Sequence, residues 1–426
     1  MSQYSYLKRV EIKVEDLKIG MYVGKLDKPW RESSFLFQGF PIENQEQIEK
    51  LKRECRSVYI DFRTEQDYNV YLMTAGTEVE IEQKRNDIDL VQELPQASKI
   101  YKNSLDWLRA ETDKIKLGGT PSLQRYQTIV TECIASLNRN PEALLILANI
   151  KDLKPYEIEH SLRVSLLAMA FGIHLGMSDS QLNQIGLSGL LFDIGKLRLP
   201  QAIINKPGKI SREEAIVLKD HPKVGFRILN EINGLSDVVK EVALSHHERI
   251  DGRGYPRHIH KDRVSRYAKI ISVIDTFDAI TSKTPYSEAR SPTHAFKLLV
   301  KNVDSKFDKE IVKSFCQWIG PAPVGSLVEM KTGEVGIVIK NRVEHPIKPR
   351  IMLITDEKKQ EGFNKIIDLL DTVVHSSGSL YRLQSVLENK ALGLRIEKYL
   401  DKESFDVPQW CAKSEIKSNS PFSKFL

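Results

Sequence analysis

Ionisable residues interrupt the apolar runs in the middle of this 426-residue chain and constrain how those runs can pack. Asp193 directly follows the apolar segment 181–191, and Asp275 lies four residues after Ile271 on an apolar, helix-like run from 264 to 281. An unpaired carboxylate is costly to bury, so each acid needs a positive charge beside it once the runs pack. The fold is therefore expected to bring these acids to a cation, most simply a metal ion.

Histidines occur in the same region at positions that also face inward. His160 lies in line with the apolar stripe of a predicted helix from 156 to 175, and His221 stands at the junction of two further predicted helices. His246 and His247 end another predicted helix, which begins near residue 236. A single histidine on an apolar face is more often a core residue bonded to a carbonyl than a metal ligand. Only the recurrence of histidines favours a metal site.

The segment HHERIDGRGYP, residues 246–256, combines two adjacent imidazoles with a glycine- and proline-rich turn. Imidazole is a common metal ligand, and two in succession can reach one ion from neighbouring directions. Gly252 and Gly254 permit positive φ, and Pro256 restricts the exit of the turn. The pattern indicates a stiff loop that handles metal and phosphate. The alternative is an ordinary surface loop at a helix end.

Composition indicates a globular protein of several domains. A length of 426 residues exceeds what one core usually serves, and 41% hydrophobic and 28% charged residues are ordinary values. The net charge of +6 is spread thinly, so DNA binding is not expected. No apolar run is long enough to span a membrane. The cysteines are scattered and indicate neither a disulfide framework nor a zinc ribbon: Cys55, Cys133, Cys316 and Cys411. We expect a cytoplasmic protein.

The periodicity along the chain predicts a mainly α fold with a central helical bundle. A small mixed α/β domain is predicted at the N-terminus and a small β unit near the C-terminus. The predicted divisions are an N-terminal domain at 1–65, a linker with exposed helices at 66–120, the helical domain at 121–320, the β unit at 321–375 and a helical or disordered tail at 376–426.

The central motifs resemble those of the HD-GYP family, bacterial phosphohydrolases that open cyclic dinucleotides. Besides HHERIDGRGYP, the matching segments in chain order are NPEALLILANIKDLKPYEIEHS, LFDIGK, KPGKI, HPKVG and ISVIDTFDAITS. These anchors span about 160 residues, from 140 to 300, and are more specific together than any one of them. The N-terminal segments LKIGMYVGKLDKPW and RSVYIDFR are similar to the uncharacterised domain that often precedes HD-GYP domains, here expected to regulate or dimerise.

The resemblance implies an HD-type helical bundle with two divalent ions, Fe or Mn, held by His160, Asp193, His221, His246, His247 and Asp275. Asp193 would bridge the ions, with His160 and Asp275 on the first and the other three histidines on the second. Lys196 would act with Asp193 in catalysis, by stabilising charge on the phosphorane or assisting the leaving 3′ oxygen. Substrate contacts are expected from Arg249, Arg253, Gly254, Tyr255, Pro256 and Lys283.

The chain departs from the family pattern at three places. Phe192 replaces the histidine of the His-Asp pair and cannot bind metal, so lower occupancy of the first ion is expected. Tyr156 occupies the place of a glutamate that gives some members a third metal, so a trinuclear site is not expected. Thr284 and Ser287 stand where the family carries substrate-binding basic residues, and Lys283 is the residue expected to compensate.

Two functions remain open from the sequence. The first is a phosphodiesterase that converts cyclic di-GMP or 3′,3′-cyclic GMP-AMP to a linear product in second-messenger signalling. The second is a degenerate member that binds a nucleotide or partner protein without turnover, which Phe192 and the missing arginines favour. A third reading, in which the acids and histidines only satisfy one another inside the bundle, is the least favoured. The partners expected are the cyclic dinucleotide, a second copy of the chain and a GGDEF-type or other signalling protein.

Overall fold

The computed structural model describes residues 8–17, 19, 21–28, 33–35, 40–42, 44–62, 89–149, 156–206, 208–283, 288–343, 345–371, 375, 377–387, 393–394 and 399. The chain divides into two compact units, Met1–Lys84 and Arg85–Leu426. Within the described parts, no helix combines the length and the apolar character needed to cross a membrane.

The N-terminal unit is a four-stranded antiparallel sheet with one helix. Its strands are β1 (Lys8–Lys13), β2 (Tyr22–Leu26), β3 (Phe40–Pro41) and β4 (Ser57–Phe62), in the order β1-β4-β2-β3, and α1 is Gln45–Glu54. The Asn44 side chain accepts from the Gln47 backbone N–H at 3.0 Å and so caps the start of α1. Alternate residues such as Ile12 and Ile60 face a small separate core.

The second unit is dominated by helices packed around one large apolar core. They are α2 (Leu90–Lys116), α3 (Leu123–Arg139), α4 (Pro141–Asn149), α5 (Tyr156–His174), α6 (Asp179–Leu191), α7 (Gln201–Ile204), α8 (Arg212–Leu218), α9 (His221–Asn230), α10 (Asp237–Ser245), α11 (Arg266–Thr281), α12 (Pro292–Lys301) and α13 (Lys309–Ile319). The predicted mainly α fold with a central helical bundle is confirmed.

The predicted linker at 66–120 is wrong for its second half. Residues 90–116 form α2, a helix whose apolar face is part of the main core rather than exposed. Buried Glu93 also accepts two hydrogen bonds of 2.7 Å from Arg139 of α3, which fixes the start of α2 against the bundle. Gly118, with φ of +94°, lies just past the end of α2, where a glycine commonly ends a helix. Residues 63–88 lie outside the described part of the chain.

A five-stranded antiparallel sheet follows the helices. Its strands are β5 (Leu327–Met330), β6 (Val335–Lys340), β7 (Arg350–Thr355), β8 (Glu361–Asp368) and β9 (Leu383–Val386), in the order β8-β7-β6-β5-β9. The prediction of a helical or disordered tail from 376 is wrong at β9, which pairs with β5 and completes the sheet. The basic segment 413–424 lies outside the described residues.

Candidate metal centre

Five structural elements deliver the predicted ligands to one region of the bundle. His160 projects from α5 and Asp275 from α11, while Asp193 occupies the turn that follows α6. His221 is the first residue of α9, and His246 and His247 directly follow α10. The sequence sets these positions through local signals. A Ser211–Glu214 capping box starts α8, and Ser236 and Ser265 cap α10 and α11.

The six predicted ligands form two groups that share Asp193. In the first group, His160, Asp193 and Asp275 each offer a nitrogen or oxygen, and these atoms all lie within 4.8 Å of one another. In the second group, Asp193, His221, His246 and His247 meet the same condition. The structure therefore brings together all six residues, in the two sets that the resemblance implied. Their roles as ligands remain a prediction.

The ring nitrogens of His221 and His246 fit a cation. Nδ1 of His221 donates to the Leu218 carbonyl at 2.7 Å, and Nδ1 of His246 donates to the Ala243 carbonyl at 3.0 Å. Carbonyl oxygens only accept, so in the neutral rings both Nε2 atoms carry lone pairs. These two Nε2 atoms are 3.1 Å apart, and that of His221 is 3.2 Å from Oδ1 of Asp193. A positive ion among them would relieve the repulsion.

Asp193 is buried and holds its charge beside Lys196. Its Oδ2 accepts from Lys196 Nζ at 2.5 Å, while Oδ1 has no hydrogen-bond partner among the described residues. Burial alone would raise the pKa of Asp193, but the charge of Lys196 holds this pKa well below its ordinary value. Burial likewise opposes the charge on Lys196, yet Asp193 raises the pKa of Lys196 overall. A charged carboxylate with an orphaned buried oxygen fits a metal bridge.

The orientation of His160 is fixed by Asp278, a residue to which the sequence analysis gave no role. His160 Nδ1 lies 2.7 Å from Asp278 Oδ2, which leaves Nε2 facing Asp275 Oδ1 at 3.0 Å. Arg163 holds Asp278 through hydrogen bonds of 2.9 and 3.0 Å. Burial would lower the pKa of His160, but the two carboxylates raise it to about 9. The available signal was the spacing of Asp278, three residues after Asp275 on an apolar helix.

Phe192 and Tyr156 fill space around His160 with aromatic rings. The Phe192 ring is fully buried, with its centroid 5.7 Å from that of His160 and 5.0 Å from that of His246. Tyr156 stacks on His160 with ring centroids 5.2 Å apart. Neither ring offers a nitrogen or carboxylate, so the first group keeps three potential ligands from the described residues. This agrees with the expectation that Phe192 reduces the ligand set.

The GYP turn packs against the second group of ligands. The Tyr255 ring stacks on His247 with centroids 4.7 Å apart, and burial raises the pKa of the Tyr255 hydroxyl. A Cβ on Gly254 would lie 2.3 Å from the backbone nitrogen of Arg249, so only glycine allows this close approach. The turn closes through buried Glu248, whose Oε1 accepts from the Arg257 backbone N–H at 2.6 Å. This arrangement places Tyr255 at the ligands.

A cavity of about 240 Å³ lies over the cluster, and it is lined by His160, Asp193, Lys196, His221, His247 and Tyr255, among others. It holds the predicted catalytic lysine together with four of the six predicted ligands.

Of the predicted substrate contacts, Arg249 pairs with Asp251 at 2.6 Å, and the Arg253 side chain is exposed to solvent. The structure does not bring Lys283 to the cavity over the ligands. Lys283 instead forms an exposed ion pair with Glu288 at 2.8 Å and lines a different cavity, of about 1010 Å³. That Lys283 compensates at this site stays a prediction. Thr284 and Ser287 lie outside the described residues.

Three family models match successive parts of the chain. An HD domain model matches residues 146–311, a domain of unknown function (DUF3391) matches 9–125, and a KOW domain associated with HD domains matches 327–373. A cyclic di-GMP phosphodiesterase of Pseudomonas aeruginosa is 29% identical over 371 residues, which cover 85% of this chain and 89% of that protein.

Two further relatives match the central region. A cyclic di-GMP phosphodiesterase of Thermotoga maritima is 34% identical over 218 residues, covering 51% of this chain and 57% of that protein. A 3′3′-cGAMP-specific phosphodiesterase of Vibrio cholerae is 31% identical over 192 residues, covering 41% and 44%. The HHERIDGRGYP segment and the six clustered residues all fall inside the HD domain match. Residues 146–311 therefore match the HD domain family, and the chain is similar to phosphodiesterases named for cyclic di-GMP and 3′3′-cGAMP.

Proposed function

We propose that this protein is a metal-dependent phosphodiesterase that opens a bacterial cyclic dinucleotide, cyclic di-GMP or 3′,3′-cyclic GMP-AMP, to a linear product. The observation that carries the proposal is the pair of ligand groups joined at Asp193 beneath a cavity that also contains Lys196. The relatives named for these two substrates support the same reaction.

The proposal includes two divalent ions, Fe or Mn. The donors are imidazole nitrogens and carboxylate oxygens without a thiolate, a set that suits these metals. Asp193 would be shared, with His160 and Asp275 on one side and His221, His246 and His247 on the other. When bound, such a pair supplies an activated water and neutralises charge on the phosphodiester oxygens.

The residues around the ligands have defined tasks in this proposal. Asp278 keeps a proton on Nδ1 of His160 and so leaves Nε2 directed at Asp275. The pKa of Lys196 is raised by Asp193, so its ammonium stays protonated at neutral pH. From the cavity wall, Lys196 can stabilise charge on the reacting phosphate or give a proton to the leaving 3′ oxygen. Tyr255 holds the plane of His247 by stacking.

The second candidate is a degenerate member that binds a cyclic dinucleotide without cleaving it. Phe192 favours this candidate, because its fully buried ring lies against both His160 and His246 and offers no metal ligand. Metal content of the purified chain separates the two candidates. About two ions per chain favour the enzyme, and one favours a crippled site.

The test of the proposed function is product analysis. The full chain, loaded with Fe(II) or Mn(II) without oxygen, is incubated with each cyclic dinucleotide, and the products are separated by chromatography. A linear dinucleotide or mononucleotide is expected, and the Asp193→Asn variant should form none. Both substrates remaining intact while metal is bound would overturn the proposal in favour of the binder. Hydrolysis retained in Asp193→Asn would overturn the shared-carboxylate arrangement.

We also propose a cellular location and partners for the enzyme. A cytoplasmic location fits its scattered cysteines, of which Cys55, Cys133 and Cys316 are free thiols in the described structure. A homodimer and a GGDEF-type partner remain proposals, as do the exact domain limits and the regulatory role of the N-terminal unit. Sedimentation of the full chain with and without cyclic di-GMP tests the dimer.

A further inference from the structure

A cyclic dinucleotide carries two phosphodiesters, and the small cavity offers few positive groups for the second one. Lys196 is engaged with Asp193, Lys219 lies over the Tyr255 ring with Nζ 5.6 Å from its centroid, and Lys283 lines another cavity. The residues that replace the family arginines, Thr284 and Ser287, are neutral. A further cation near the ligands would help to bind the phosphate that is not cleaved.

Lys306 is such a cation. It belongs to the turn between α12 and α13, and its Nζ donates to the Thr276 hydroxyl at 3.3 Å. Thr276 is the residue after the predicted ligand Asp275 on α11, so the ammonium lies against the helix that supplies this carboxylate. The side chain also covers the Phe307 ring, with Nζ 4.7 Å from the ring centroid.

The ammonium of Lys306 is partly buried without a matching anion. No carboxylate of the described residues lies within 4.0 Å of it, in contrast to Lys283 and its partner Glu288. Burial lowers the pKa of Lys306, and the charges of Asp275 and Arg249 act on it in opposite directions. Burying an unpaired ammonium is unfavourable, and a bound phosphate would offset that cost.

The turn holds Lys306 in place between the core and the GYP loop. The Lys306 backbone N–H donates to the Asn302 carbonyl at 2.9 Å, and the next residue, Phe307, is buried in the main core. The Ser305 carbonyl accepts from the Asp251 backbone N–H at 3.0 Å, which ties this turn to the HHERIDG segment. Because these backbone hydrogen bonds fix the turn, Lys306 is positioned before substrate binds.

From this placement we propose that Lys306 binds the uncleaved phosphodiester of the cyclic dinucleotide. Lys196 lines the cavity over the ligands, whereas Lys306 is outside that lining, on the Asp275 side of the cluster. In this proposal the cleaved phosphate lies beside Lys196, and the other phosphate contacts the ammonium of Lys306. The inference rests on the proposed function, because it assumes a substrate with two phosphates.

The test compares Lys306→Met with the wild-type full chain on two substrates. Cyclic di-GMP has two phosphodiesters, whereas bis(p-nitrophenyl) phosphate has one. We expect Lys306→Met to raise KM for cyclic di-GMP roughly ten- to a hundredfold, the usual effect of losing a charged hydrogen bond, with kcat nearly constant. KM for bis(p-nitrophenyl) phosphate should not change. Lys306→Arg should restore most of the affinity for cyclic di-GMP, and Lys301→Met, an exposed lysine at the end of α12, is the matched control.

Two results would overturn the inference. An unchanged KM for cyclic di-GMP removes the contact, and an equal loss on both substrates assigns Lys306 a purely structural role. Direct binding of cyclic di-GMP, measured by calorimetry, separates this outcome from failure of the proposed function. If the wild type binds but does not cleave, Kd takes the place of KM and the same comparison decides. If it neither binds nor cleaves, both proposals fall.

Discussion

The side chain of Phe192 determines how complete the first ligand group can be. Its ring lies against both His160 and His246, so an imidazole in its place would project into the same cluster. The phenyl ring is fully buried, so it fills its place in the core without offering a metal ligand. Metal binding and core packing have separate requirements at this residue.

We predict that Phe192→His raises the metal content of the purified chain. The new ring nitrogen would join His160, Asp193 and Asp275 and strengthen the weaker of the two groups. Metal per chain is measured by mass spectrometry after loading with limiting Fe(II) or Mn(II). Phe192→Leu is the control, because leucine fills the space without a donor. Equal metal content in the two variants would show that position 192 does not face an ion.

We predict that Asp278→Asn weakens metal binding by roughly ten- to a hundredfold, the typical cost of losing the partner of a ligand histidine. The amide keeps the shape of the side chain, but it lacks the negative charge that favours the proton on His160 Nδ1, and the ion pair with Arg163 becomes at most a neutral hydrogen bond. Metal affinity is measured by competition with a chelator. Asp278→Glu should bind metal better than Asp278→Asn if the charge is what matters. Unchanged affinity in both would leave Asp278 with only a packing role.

At the scale of elements, helix α2 shows that a polar segment can be part of the core. Its apolar residues recur at helical spacing, among them Leu94, Ala97, Leu105 and Leu108, but lysine and acidic residues separate them. The polar residues of the segment favour an exposed linker, whereas this spacing indicates a helix with one buried face. The segment is integral to the helical unit.

We predict that Ile115→Ala, on the buried face of α2, lowers the free energy of unfolding by about 2–5 kcal/mol. Ile115 is fully buried, so the change removes packed methyl groups and leaves a cavity. Leu117, two residues further on, is 90% exposed, and Leu117→Ala should change stability by less than about 0.5 kcal/mol. Urea unfolding measures both. Similar small effects for the two variants would mean that α2 does not contribute to the folded core.

Comparison of sequence and structure separates what local patterns contain from what tertiary packing adds. The capping box at Ser211 and the inward position of His160 were readable because they depend on neighbours a few residues away. The contact between His160 and Asp278 joins residues 118 positions apart, and no local pattern specifies it. Strand β9 was not predicted for a similar reason, since it is short and is defined by its pairing with β5.

At the scale of the whole molecule, the ion site and the stability of the helical unit are expected to be linked. We predict that adding Mn(II) to the metal-free chain raises its melting temperature, because the ion binds the folded cluster and not the unfolded chain. At a free concentration about 100 times Kd, the gain is about 2.7 kcal/mol. Calorimetry measures the shift, and Asp193→Asn, which removes the shared carboxylate, should show little of it. An equal shift in this variant would place the stabilising ion elsewhere.

The distance along the chain between the ligands gives the site a further property. His160 and Asp275 are 115 residues apart in sequence, yet their side chains meet at 3.0 Å. An ion held between them would act as a reversible cross-link that closes the segment from α5 to α11 into one loop. Such a closure restricts the unfolded chain as a disulfide does, and it forms without any thiol chemistry. Supply of the metal would then govern how long the folded protein persists, apart from how fast it turns over substrate.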